Sequence, residues 1–135
     1  MATLFWMDTP QPLDAAWSMA RVERCTAQIW ATASQVAKRG VPCVLDLGFS
    51  QVRQRARVYD WAREAGLSAQ LHFVDVPADE RWRRVQMRNA EKGITHRLSF
   101  AITREMFDLV ETLWEPPSAD EMRRGDGIRI ASKAG

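Results

Sequence analysis

The stretch Val41-Pro42-Cys43-Val44-Leu45-Asp46-Leu47-Gly48-Phe49-Ser50 decides the fold class of this chain. It is a short apolar run with one acid near its end, a glycine just beyond, and a helix-start residue after that. A run apolar on both faces reads as a buried parallel strand over Val41–Leu47. Such a strand carries its terminal carboxylate, Asp46, to the carboxyl edge of a parallel sheet, where α/β proteins bind ligands.

Working outward, Leu13–Arg39 reads as a long helix capped at Asp14. Its apolar stripe is Trp17, Ala20, Val22, Ile29, Trp30, Ala33 and Val36, and Gly40 and Pro42 end it. On the other side, Ser50 is expected to cap a helix over Gln51–Ala65, with Val52, Ala56, Tyr59 and Ala62 inward and Gly66 closing it. Gln70–Val76 is a second strand, and a third helix runs from about Asp79 to Glu91. Ile94–Ala101 is irregular. Thr103 caps a fourth helix through Trp114, with Met106, Phe107, Val110 and Leu113 at three- and four-residue steps. Ser118-Ala119-Asp120-Glu121 matches a capping box, and Gly127–Ile130 is a last strand. Alternating helices and strands of this kind make an α/β domain with a mainly parallel sheet.

With 135 residues, 46% hydrophobic and 27% charged, the chain supports one globular domain, residues 1–130, with a tail at 131–135. No apolar run approaches the ~20 residues of a membrane span. Cys25 and Cys43 read as free thiols, consistent with a reducing cytoplasm. A net charge of +2 gives no argument for nucleic acid. Gln51 to Arg104, however, holds eleven Lys/Arg against six Asp/Glu, which allows a local anion site. The six tryptophans read mainly as helix-to-sheet packing. His72 and His96 stand without metal-ligand spacing, and Ser50 is not in a hydrolase elbow.

The third helix contains Arg81-Trp82-Arg83-Arg84-Val85-Gln86-Met87-Arg88-Asn89. Arg84 and Arg88 are four apart and share a face, so their guanidinium forks suit a polyphosphate. A solvated face with i,i+4 partners such as Glu80 to Arg84 fits the same spacing. No Gly-x-x-x-x-Gly-Lys-Ser/Thr loop is present: Lys38, Lys92 and Lys133 are the only lysines, and none follows that pattern.

Four stretches in order carry a family resemblance: Val44-Leu45-Asp46-Leu47-Gly48-Phe49-Ser50; Leu71-His72-Phe73-Val74-Asp75-Val76-Pro77; Arg83-Arg84-Val85-Gln86-Met87-Arg88-Asn89; and Ile102 to Glu121. The succession resembles the small bacterial P-loop kinase-like ATP-binding proteins, AAA-type ATPases or kinases related to zeta toxins, chloramphenicol phosphotransferase and polynucleotide kinases. The resemblance implies a three-layer P-loop NTPase-like α/β fold. It further implies that this chain lacks the N-terminal P-loop strand and helix, a unit of about 30–40 residues. It implies ATP and Mg²⁺ as cofactors and a hydroxyl-bearing small-molecule acceptor. Asp46 then lies near the metal through water, Arg53 toward the acceptor, and Arg84 and Arg88 on the transferring phosphates. Asn89 follows them, and Glu115, Pro116 and Pro117 approach the adenine. Asp8 is a poor stand-in for the base.

In that family the phosphate-loop strand lies between the strands matching Val41–Leu47 and Leu71–Val76. Its loss leaves unpaired backbone groups at roughly 1–3 kcal/mol each, which together rival a domain stability of about 5–15 kcal/mol. The expectation is that the two strands close up and pair, with poor stability in solution. Two functions follow: an ATP-dependent phosphotransfer domain, weak or inactive alone, or a non-catalytic module that associates with another chain through its open sheet.

Overall fold

A computed structural model of the chain describes residue 10, residues 14–90 and residues 101–131. Trp6, Asp8, Lys92, His96, Lys133 and most of the irregular stretch Ile94–Ala101 lie outside the described residues. The chain forms two compact units, Met1–Gly48 and Phe49–Gly135.

The first unit is built on α1 (Ala15–Ala37). Asp14 caps it, its Oδ1 accepting from the Trp17 N–H at 2.5 Å. Gly40 ends the turn beyond the helix in the left-handed region, φ 81°. Residues 41–47 then run on without secondary structure, which corrects the expected strand. A strand exists only by ladder bonds to a neighbour, and none of the described residues supplies them. The segment instead lies beside α1, where the Cys43 thiol points to the Ala33 carbonyl at 3.6 Å. Val44 is 95% exposed.

The second unit contains α2 (Val52–Glu64), β1 (His72–Asp75), α3 (Ala78–Ala90), α4 (Arg104–Thr112), α5 (Ala119–Arg124) and β2 (Ile128–Ala131). The cap of α2 is Gln51 rather than Ser50. The Gln54 side chain reaches back to the Gln51 N–H at 3.1 Å. The helix closes through Gly66, φ 68°, with the Leu67 N–H bonded to the Ala62 carbonyl at 2.8 Å. Thr103 caps α4 and Ser118 caps α5 through their hydroxyls, at 3.3 and 3.1 Å.

β1 and β2 pair in parallel, His72 opposite Ile128 and Asp75 opposite Ala131. Among the described residues the sheet has these two strands only. The expected direct pairing of 41–47 with 71–76 is therefore not formed. In place of a broad three-layer sheet, the described residues hold a small parallel ladder flanked by helices.

Burial is thin. Ala62 and Phe107 are the only buried hydrophobic residues among those described, while Val74, Leu109, Val110 and Leu113 are exposed. Trp82 packs against Phe107 at 5.3 Å between ring centres, and Phe73 against Trp114 at 6.1 Å. These pairs bear out the packing role of two tryptophans. No helix among the described residues is long and apolar enough to cross a membrane, and both cysteines are free. So small a core predicts a shallow thermal transition with a midpoint below about 45 °C, the lower edge of ordinary domains. Circular dichroism during heating reads this directly. A sharp transition above that range contradicts it.

Candidate functional site

The arginine face sits on α3, and three contacts with α4 and its lead-in position that helix. Arg81 bonds the Glu111 carboxylate at 2.6 Å, and Trp82 stacks obliquely on Phe107. The Asn89 amide both donates to the Ile102 carbonyl at 2.8 Å and accepts from the Ile102 N–H at 3.2 Å. Asn89 thus anchors the end of α3 that carries Arg88. Arg104, from the first turn of α4, lies over the Trp82 ring at 5.2 Å.

Arg84 and Arg88 are both exposed and stand one turn apart on α3. The Arg84 Nε donates to Glu80 Oε1 at 2.8 Å. Arg83 grips the same carboxylate with two bonds, at 2.7 and 2.8 Å. The i,i+4 partnership legible in the sequence is thus formed. Hydrogen bonds from Arg83 first and Arg84 second pull the Glu80 carboxyl down from 4.5 to about 2. Arg88 forms no ion pair with a described residue.

A second cluster surrounds the start of α2. The Glu115 carboxylate accepts from the Val52 N–H at 2.7 Å, and the Glu115 N–H donates to the Ser50 carbonyl at 2.9 Å. A carboxylate there satisfies an orphan donor and complements the helix dipole. Arg53, exposed on the first turn, bonds Gln51 Oε1 at 3.0 Å. Pro116 is exposed and Pro117 half-buried. Asp46 is exposed and belongs to the first unit. The structure therefore groups Arg84, Arg88 and Asn89 on one helix, and Arg53 with Glu115–Pro117 at the head of another.

Sequence reading missed a third cluster. Arg55, 4% exposed, meets Glu121 through two bonds, Nε to Oε1 at 2.5 Å and Nη2 to Oε2 at 3.0 Å. Its remaining nitrogen donates to the Phe49 carbonyl at 2.9 Å. The inward face of α2 is therefore Arg55, Tyr59 and Ala62, not the expected Val52 and Ala56, which are exposed. Glu121 also fails to close the expected capping box, because Arg55 holds its carboxylate. The 55, 59, 62 spacing was the available signal, obscured because arginine normally marks the solvent side. The Tyr59 hydroxyl is buried beside this pair without a hydrogen-bond partner. Burial, and then the Glu121 charge, raise its pKa above 10.

The family model described as "AAA domain" matches residues 3–113, well over half of the chain. The chain belongs to the AAA domain family. That family has a P-loop NTPase-like α/β fold and nucleotide-binding function of the ATPase or kinase type. No curated protein and no solved structure matches the chain. Within this AAA-family chain the small parallel sheet with flanking helices fits the α/β class, and the exposed arginine pair is the feature best suited to an anion.

Two outcomes are expected. Tyr59→Phe removes a hydroxyl that has no partner, so chemical denaturation should show stability unchanged or higher by up to about 1 kcal/mol. A loss of that size means the hydroxyl is bonded. For Glu80, a folded pKa below its unfolded value gives stability that is present above about pH 4.5 and disappears as pH falls toward 2. A carbon-detected titration of Glu80 should give a midpoint near 2, rising toward the ordinary range in Arg83→Ala. An ordinary midpoint in the unaltered chain contradicts the shared-carboxylate geometry.

Proposed function

We propose that this chain is a nucleotide-binding domain of the ATP-dependent phosphotransfer type, in which the α3 arginines carry the phosphates. The supporting observation is Arg84 and Arg88, exposed one turn apart on a helix fixed from behind, within a chain of the AAA domain family. Two guanidinium forks one turn apart suit adjacent phosphoryl groups, because each binds two oxygens and stays charged. Glu80 keeps Arg84 extended until an anion displaces it. Asn89 orients the end of the helix. Arg53 serves the acceptor, a small hydroxyl compound, and the exposed Pro116 ring with Glu115 and Pro117 flanks the adenine.

Magnesium bound to the triphosphate supplies neutralisation of its charge. No group of three His, Cys, Asp or Glu that could hold a metal occurs among the described residues. A single exposed carboxylate such as Asp46 fits the water-mediated contact that Mg²⁺ accepts when phosphates provide its other ligands. Phosphoryl transfer rests on positioning and charge stabilisation, and the 135 residues contain no Walker loop to cradle the β- and γ-phosphates. Binding by this chain is accordingly weak and turnover slight.

Titration calorimetry with magnesium-ATP tests the reading. The expected dissociation constant is about millimolar, corresponding to roughly 4 kcal/mol. Removing both charges in Arg84→Ala/Arg88→Ala should weaken it at least tenfold, since each charged hydrogen bond contributes about 1.5–3 kcal/mol. Unchanged binding in that variant overturns the site. Micromolar binding by the unaltered chain contradicts the role given to the missing loop.

A further inference from the structure

The chain carries two half-made pieces of β-sheet. In β1, the Leu71 N–H donates to the Gly125 carbonyl at 3.0 Å and the Leu71 carbonyl accepts from Ile128 at 2.8 Å. Alternation along a parallel ladder then turns Leu71, Phe73 and Asp75 toward β2 and aims the backbone groups of His72 and Val74 at the opposite edge. That edge has no strand partner among the described residues. It also lacks the devices that normally protect an edge: His72-Phe73-Val74-Asp75 has no lysine, proline or bulge, and Val74 is 61% exposed.

The second piece is residues 43–47. Cys43, Val44, Leu45 and Leu47 have the composition of a parallel strand buried on both faces. Their backbone N–H and C=O groups have no backbone partner among the described residues. Pro42 lacks an N–H and sets the beginning of any ladder, leaving five residues to match the four of β1. The segment ends at Gly48, φ 83°, and Phe49, φ 22°, where the two compact units meet in sequence. A left-handed glycine at a unit boundary is the kind of hinge through which chains exchange elements.

We propose that residues 43–47 of one copy add in parallel to the free edge of β1 in a second copy, and reciprocally, to close a twofold dimer. Each sheet becomes three-stranded, in the order 43–47 of the other copy, β1, β2. A second copy is the occupant because the chain itself holds both complementary pieces, so one exchange satisfies both of them twice. A single four-residue edge covers little area, whereas stable interfaces bury about 1,200–2,000 Å². The reciprocal arrangement makes two ladders and covers Val44 and Val74 in both copies. This association does not rest on the nucleotide reading.

Light scattering coupled to size-exclusion chromatography should give twice the chain mass at micromolar concentration. Val44→Pro and Leu45→Pro each delete one N–H, and one of these neighbours lies on the ladder side. At least one variant should be monomeric while keeping the helical circular dichroism of the parent. A monomeric parent, or two dimeric proline variants, overturns the proposal. A trans cross-link fixes the geometry independently of those variants. A chain whose only thiol is Cys43 (with Cys25→Ser) is mixed and refolded with a chain whose only thiol comes from His72→Cys (with Cys25→Ser and Cys43→Ser). Mild oxidation should then yield a covalent heterodimer. Absence of that product overturns the proposal, as does a cross-link formed within one chain carrying both thiols.

Discussion

The ion pair between Arg55 and Glu121 is the constraint on which the second unit depends. Taking two charges out of water costs several kcal/mol per ion, so such a pair persists only when its geometry is excellent and its spare donors are used. Both conditions are met: the guanidinium is forked onto the carboxylate, and its remaining nitrogen reaches the Phe49 carbonyl. The pair thereby joins α2 to α5, residues 66 apart in sequence. One turn beyond Glu121, Gly125 is buried so closely against the Tyr59 ring that an added Cβ would collide with the phenol oxygen. The Gly125 carbonyl then receives the Leu71 N–H, the first bond leading into the β1–β2 ladder. The register of the only described sheet is therefore set one step from a buried charge pair.

The arginine face depends on a different set of contacts. Arg81 to Glu111, Trp82 to Phe107 and Asn89 to Ile102 fix α3 along its length, leaving Arg84 and Arg88 on the exposed side. Charge on a fixed helix costs little reorganisation when an anion arrives, which is the physical advantage of placing binding groups on rigid elements. Glu80 tempers this advantage, since an anion must displace a carboxylate already shared by two arginines.

The helices were legible because their starts carry chemistry: Asp14, Thr103 and Ser118 cap the elements they were expected to cap. So were β1 and β2, to within two residues, because each finds a partner in the same unit. Val41–Leu47 has equally strong strand composition and forms none, since composition supplies propensity but a ladder needs a neighbour. The Glu80–Arg84 contact was readable from helical spacing. Arg55 was not, because nothing local marks an arginine whose partner is far along the chain, and Glu121 was read instead as the return half of a capping box. The membership in the AAA domain family agrees with the resemblance carried by the ordered stretches from Val44 to Glu121, while the described sheet is narrower than that resemblance implied.

The most direct measurement of the central claim is a double-mutant cycle on Arg55→Met and Glu121→Leu, read by urea denaturation of the full chain. Each single change strands a buried charge and should cost about 3–5 kcal/mol, whereas the double change removes both charges and should recover much of that loss. The account predicts a coupling energy of at least about 2 kcal/mol. Single-variant losses that add to within about 0.5 kcal/mol would mean the two residues act independently, and the pair would not be what holds the unit together.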